Sequence, residues 1–169
     1  IKISEFIEST AIPLDTIVYT QITSQLITDD RVVNVQMTED LLDFLNGFSN
    51  KRTSVVWLGP RSSIGLSRDE AARLCFSGKS DVTLNANIIE KFIRSSESGV
   101  KLDNQLRDIS EKHGTDIKYV SQVKMLGQES KDLNLITDCQ HLFWSNDNHF
   151  SRYGEAKFAG IFQKFFEGL

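Results

Sequence analysis

The sequence predicts a layered α/β domain built on a central parallel sheet, with helices on either side. Three observations carry that expectation: short β-branched runs alternate with helical patterns, the first two runs are spaced widely enough for a crossover helix, and a strongly apolar helix closes the chain.

The 169 residues, 40% apolar and 25% charged, are the size of one domain with its own core, read as residues 1–169. That balance excludes disorder, a collagen-like rod and a disulfide-stapled miniprotein. With 19 basic against 23 acidic residues the net charge is −4, so no basic face for nucleic acid is expected. The longest apolar runs fall far short of the roughly 18 residues a membrane span requires. The sequence opens at Ile1 without the pattern of a signal peptide and is expected to be the C-terminal part of a longer chain. No internal repeat or low-complexity tract is apparent.

Asp15–Tyr19, just after Pro13, is β-branched and aromatic and predicts a buried strand. Met37, Leu41, Leu42, Leu45 and Phe48 then recur at helical spacing, with Thr38 as the expected N-cap and Glu39 and Asp40 in the first turn. Phe48–Arg52 is the expected stop. Thr53–Leu58 follows as a second buried strand ended by Gly59–Pro60. Ser67 and Glu70 have the spacing of a capping box ahead of a short helix through Ala71–Phe76. Asn87–Ser95 and Leu102–His113 are both helical in pattern, as one helix or two, with Gly114 as terminator and His113 complementing the negative helix end. Asp116–Val120 predicts a third strand. From Ser151, the residues Tyr153, Phe158, Ile161, Phe162, Phe165 and Phe166 form the apolar stripe of a last helix, expected to pack on the sheet.

Phosphate-binding glycine motifs are absent, and Gly78–Lys79–Ser80 has only the tail of one. Cys75 and Cys139 are compatible with a disulfide or with two buried thiols. Arg61, just after Gly59–Pro60, reads as a solvated loop arginine, although the end of a parallel strand is also where ligands meet such sheets. The chemistry concentrates in Leu142–Ala156. There His149 sits in a polar loop before a helix, beside a carboxylate able to hold one ring nitrogen and leave the other free as a base.

His149–Phe150–Ser151–Arg152–Tyr153–Gly154–Glu155–Ala156 resembles the last sequence block of the SGNH/GDSL hydrolase superfamily, in which a catalytic histidine precedes Ser, Gly and Ala at the start of a closing helix. The likeness is to the extracytoplasmic domains of bacterial O-acetyltransferases that modify lipopolysaccharide, capsule or peptidoglycan. Thr53–Pro60 and the approach from Tyr119 through Cys139 to Phe143 are similar to that group as well. The resemblance implies a three-layer αβα fold, here possibly without its first strand, and acyl-ester transfer or hydrolysis on a cell-surface glycan. It further implies a periplasmic or outer-face location, a glycan acceptor and an acyl donor as partners, and a fused or partner membrane acyltransferase domain. No cofactor or metal is implied.

Under the resemblance His149 is the base. The family places Asp three residues before it, where this chain has Asn146, while Asp147 stands two before. Asp147 is the expected orienter if the loop is shifted by one residue, and Asn146 if family geometry is kept. An amide in that place costs a serine triad on the order of ten-thousandfold in turnover. The family nucleophile lies in a Gly-Asp-Ser block, which this sequence lacks; the serine is expected outside it, and a catalytically silent binding domain is the alternative. Gln21, after the first strand, is the nearest candidate for an oxyanion donor. Cys139, His141, Asp147 and His149 are also a mixed set that could bind Zn²⁺, but their spacing matches no familiar finger or ribbon.

Overall fold

Among the described residues three short strands pair in parallel. The computed structural model describes residues 15–21, 25–28, 32–49, 53–76, 82–146 and 148–169, with side chains from 86 onward in the segment that begins at 82. Pro13, Lys51–Arg52 and Gly78–Lys79–Ser80 lie outside the described residues. The chain is mixed α/β and divides into two compact units, one of Ile1–Leu58 with Arg107–Val120, the other of Gly59–Leu106 with Ser121–Leu169.

The first unit holds the sheet, in the order β1 (Thr16–Thr20), β2 (Ser54–Leu58), β3 (Lys118–Val120), with both pairs parallel. Four of the five residues of β2 are buried, as expected of a central strand flanked on both edges. The register sets Tyr19 beside Trp57 and Trp57 beside Tyr119, giving one aromatic row across the sheet, with the Trp57 and Tyr119 rings edge-to-face at 4.9 Å.

Between β1 and β2 runs α1 (Val35–Asn46). Its N-cap is Asn34, whose side chain accepts from the Met37 amide at 3.1 Å; the expected cap, Thr38, lies inside the helix, wholly buried, and donates its hydroxyl to the Asn34 carbonyl at 2.8 Å. The earlier start turns the helix face. Thr38, Leu42 and Leu45 face inward, Met37 is 48% exposed, and no acidic residue falls in the first turn. The buried stripe includes a threonine and omits a methionine, which a reading based on hydrophobicity alone inverts.

The second unit begins with α2 (Arg68–Phe76). Its capping box forms as expected: the Ser67 amide donates to Glu70 Oε2 at 2.7 Å and the Glu70 amide to Ser67 Oγ at 3.3 Å, while Lys91 closes on the same carboxylate at 2.8 Å. The two helical patterns that follow are one helix, α3 (Val82–His113), ended by Gly114 at φ 73°. Gly99 lies mid-helix because a Cβ there would fall 1.9 Å from Ser62 Oγ. The buried positions of α3 include Ser96, Asp103 and Ser110 beside Ile88, Phe92 and Leu106, so apolar periodicity alone traces only part of its inward face. From Arg107 onward α3 belongs to the first unit, where His113, its last residue, lies 3.5 Å from Asp43 through Nε2.

After β3 come α4 (Gln122–Met125), 3₁₀ turns at Gln128–Ser130 and Leu133–Leu135, and α5 (Arg152–Glu167). The apolar stripe of α5 is covered within its own unit: Phe158 meets Phe150 at 4.8 Å and Phe143 at 6.4 Å, and Ile161 and Phe162 pack on the same cluster. Tyr153 and Phe166, counted in the stripe from sequence, are exposed. No helix among the described residues is long and apolar enough to cross a membrane.

Candidate functional site

The segment between the second 3₁₀ turn and α5 folds as two successive tight turns, each closed by an isolated bridge, Thr137 with Leu142 and Trp144 with Phe150. Both are built on the same device. In the second turn, Asn146 Oδ1 accepts from the backbone amides of Asn148 and His149 at 3.0 and 2.9 Å and lies 3.0 Å from His149 Nδ1. Ser145 Oγ donates to the His149 carbonyl at 3.2 Å.

These contacts fix the chemistry of the ring. Backbone N–H groups can only donate, so the Asn146 atom they share is the carbonyl oxygen, and the Nδ1 facing it must carry the proton. Nε2 is thereby left as the acceptor, on a side chain exposed to solvent. This is the tautomer a general base requires. Of the two expected orienters, Asn146 holds the ring; Asp147 lies outside the described residues.

The first turn repeats the arrangement with a carboxylate. Asp138 Oδ1 accepts from the Gln140 and His141 amides at 2.9 and 2.7 Å, Oδ2 lies 3.3 Å from His141 Nδ1, and Thr137 Oγ1 donates to the His141 carbonyl at 2.8 Å. The backbone bonds from His141 and Gln140 hold the Asp138 carboxyl below the usual aspartate range. Thr137–Asp138–Cys139–Gln140–His141–Leu142 and Ser145–Asn146–Asp147–Asn148–His149–Phe150 are thus the short repeat that the sequence does not advertise. Its signal is the order hydroxyl, Asx, two residues, His, apolar. The His141 ring lies on Tyr153 with centroids 4.2 Å apart.

The surroundings lock both turns. Cys139, at φ 66°, is joined by a disulfide to Cys75 of α2, with Cα atoms 5.2 Å apart. That bond removes the thiolate from the alternative zinc set, and no three potential ligands gather among the described residues. Ser151 caps α5 by accepting from the Tyr153 and Gly154 amides at 3.2 and 3.1 Å and donates its hydroxyl to the Leu142 carbonyl. Gly154 lets the helix start press on the first turn, since a Cβ would sit 1.8 Å from the Phe143 carbonyl oxygen.

No protein-family pattern matches this chain, and no curated protein matches it significantly.

Arg61 is held against the His149 turn and is not the solvated loop residue expected. Its Nε and Nη2 donate to the Asn148 carbonyl at 3.1 and 2.7 Å, and its guanidinium lies 4.4 Å from the Phe150 ring centre and 5.9 Å from that of Trp144. Gln21 belongs to the sheet unit. There the Tyr19 hydroxyl donates to its Oε1 at 2.8 Å, and its Nε2 is buried without a partner among the described residues.

Proposed function

We propose that this chain is an SGNH/GDSL-type domain with the three-layer fold of that superfamily, transferring or hydrolysing acyl esters, acetate foremost, on a bacterial cell-surface glycan. One observation carries the reading: His149 presents a free Nε2 to solvent while Asn146 holds its Nδ1 at 3.0 Å. In this mechanism Nε2 takes the proton of a serine hydroxyl as the oxygen attacks the ester carbonyl. It returns that proton to the departing alcohol, and an acceptor hydroxyl or water then releases the acyl group by the reverse sequence. In this reading the serine comes from a Gly-Asp-Ser block outside this sequence. The reading places the protein on the extracytoplasmic side, working with a membrane acyltransferase domain, fused or separate, that supplies the acyl group.

Acetyl-ester turnover by the intact protein and its His149→Ala variant tests this. A loss of two or more orders of magnitude is expected; equal rates would remove His149 as base.

A second reading has one observation in its favour. Asn146 replaces the carboxylate that would stabilise an imidazolium, which fits a catalytically silent domain that binds glycan or protein. Intact protein without turnover but with saturable glycan binding is the outcome that selects it.

A further inference from the structure

The Arg61 side chain stands beside the His149 turn with part of its hydrogen-bonding capacity unused. A guanidinium has five N–H donors and two edges able to grip a carboxylate or phosphate side-on. The Nε–Nη2 edge is spent on one backbone carbonyl, that of Asn148, and one face is covered by Phe150 and Trp144. Among the described residues the Nη1–Nη2 edge has no partner and no carboxylate lies within ion-pair distance of this cation. Among the described residues this half-buried cation meets aromatic rings and a carbonyl but no counter-charge, an arrangement that an added anion would stabilise. Consistent with that, burial pushes the Arg61 pKa below its ordinary value.

The backbone beneath Arg61 is firmly set. Gln122 Nε2 donates to the Gly59 carbonyl at 2.6 Å, and Gln128 pairs reciprocally with Ser62, accepting from its amide at 3.0 Å and donating to its carbonyl at 2.8 Å. Two buried amides thus fix the segment on both sides of Arg61, which is how a protein holds a recognition group in register rather than leaving it to solvent.

We propose that the free edge of Arg61 binds an oxyanion carried by the substrate, a carboxylate or phosphate on the glycan, beside the His149 imidazole. The inference rests on the reading of His149 as the reacting base, and it makes the substrate an acidic glycan. Arg61 is then a binding residue for the charged group and, through Asn148, a positioning residue for the histidine turn.

The test reads binding and not turnover, so it fails or succeeds separately from the catalytic reading. The Arg61 Nε–Hε resonance of the intact protein, assigned by its loss in Arg61→Lys, is followed by NMR during titration at constant ionic strength. The probes are glucuronate, glucose 6-phosphate, glucose and sodium chloride. A saturable shift with glucuronate, glucose 6-phosphate or both, without one from glucose or chloride, is the expected result, and which probe acts identifies the source of the anion. Arg61→Lys, which keeps the charge and loses the fork, should weaken binding at least about tenfold, read from the His149 ring resonances. No shift with either anion, or an equal one with chloride, overturns the proposal in wild-type protein, whatever the variant does.

Discussion

Asn146 and His149 meet at 3.0 Å through Oδ1 and Nδ1, and the preceding turn makes the same contact between Asp138 and His141 at 3.3 Å with a carboxylate. The Asn146 oxygen alone receives three donors, whereas Asp138 divides the same load between two oxygens. The turn that carries the proposed base therefore has the weaker electrostatic support of the two.

Asn146→Asp should raise ester turnover by about tenfold or more, because a carboxylate stabilises the imidazolium that forms during proton transfer and an amide does not. Steady-state rates on an acetyl ester, with unfolding midpoints as the control for the turn, decide it. An unchanged rate would show that Asn146 does not act through His149.

Two glycines of α5 should respond in opposite directions to alanine. Gly154→Ala places a methyl 1.8 Å from the Phe143 carbonyl oxygen and should destabilise the protein by on the order of 3 kcal/mol. Gly160 has nothing within 4 Å of an added Cβ, so Gly160→Ala should stabilise by up to about 1 kcal/mol through helix propensity. Urea denaturation of both variants measures the pair, and equal effects would contradict the close approach at Gly154.

The Cys75–Cys139 disulfide spans a sequence separation of 64, for which loop-closure entropy gives a stabilisation of about 4 kcal/mol. Reduction, or Cys75→Ser with Cys139→Ser, should lower the unfolding free energy by roughly 2–4 kcal/mol. Without reductant the unfolded chain should show no free thiol. Two reactive thiols in that titration would contradict the bond.

Lys91 and the Ser67 amide lower the Glu70 carboxyl from its ordinary 4.5 to about 2. A depressed folded-state pKa means that the unfolded chain binds the extra proton first. The contribution of the capping box is therefore complete above pH 4.5 and is lost as the pH falls toward 2. Thermal unfolding of wild type and Glu70→Gln should differ near pH 6 and converge near pH 2. A difference that persists at pH 2 would show that the Glu70 charge is not the source.

Local signals were legible where they are local in origin. The spacing of Ser67 and Glu70 closed as a capping box, and the β-branched run at Val55–Leu58 became the buried strand. Thr38 lies inside the helix and not at its cap because a hydroxyl can serve either at a helix end or inside, bonded to the carbonyl four residues back, and only the packing of Leu42 and Leu45 chooses between them. The place of Arg61 is not legible locally for a related reason: its partners, Asn148 and Phe150, are remote in sequence.

The sequence by itself determined the alternation of strand and helix, the cap of α5 at Ser151 and the presence of an Asx residue three positions before each of two histidines. Those features follow from backbone preferences and side-chain bonds that reach only a few residues. Tertiary structure decided that Cys75 pairs with Cys139, and that Arg61 lies on the His149 turn with one edge unspent among the described residues. Each depends on contacts between distant parts of the chain, which burial and hydrogen-bond satisfaction select and no local periodicity encodes.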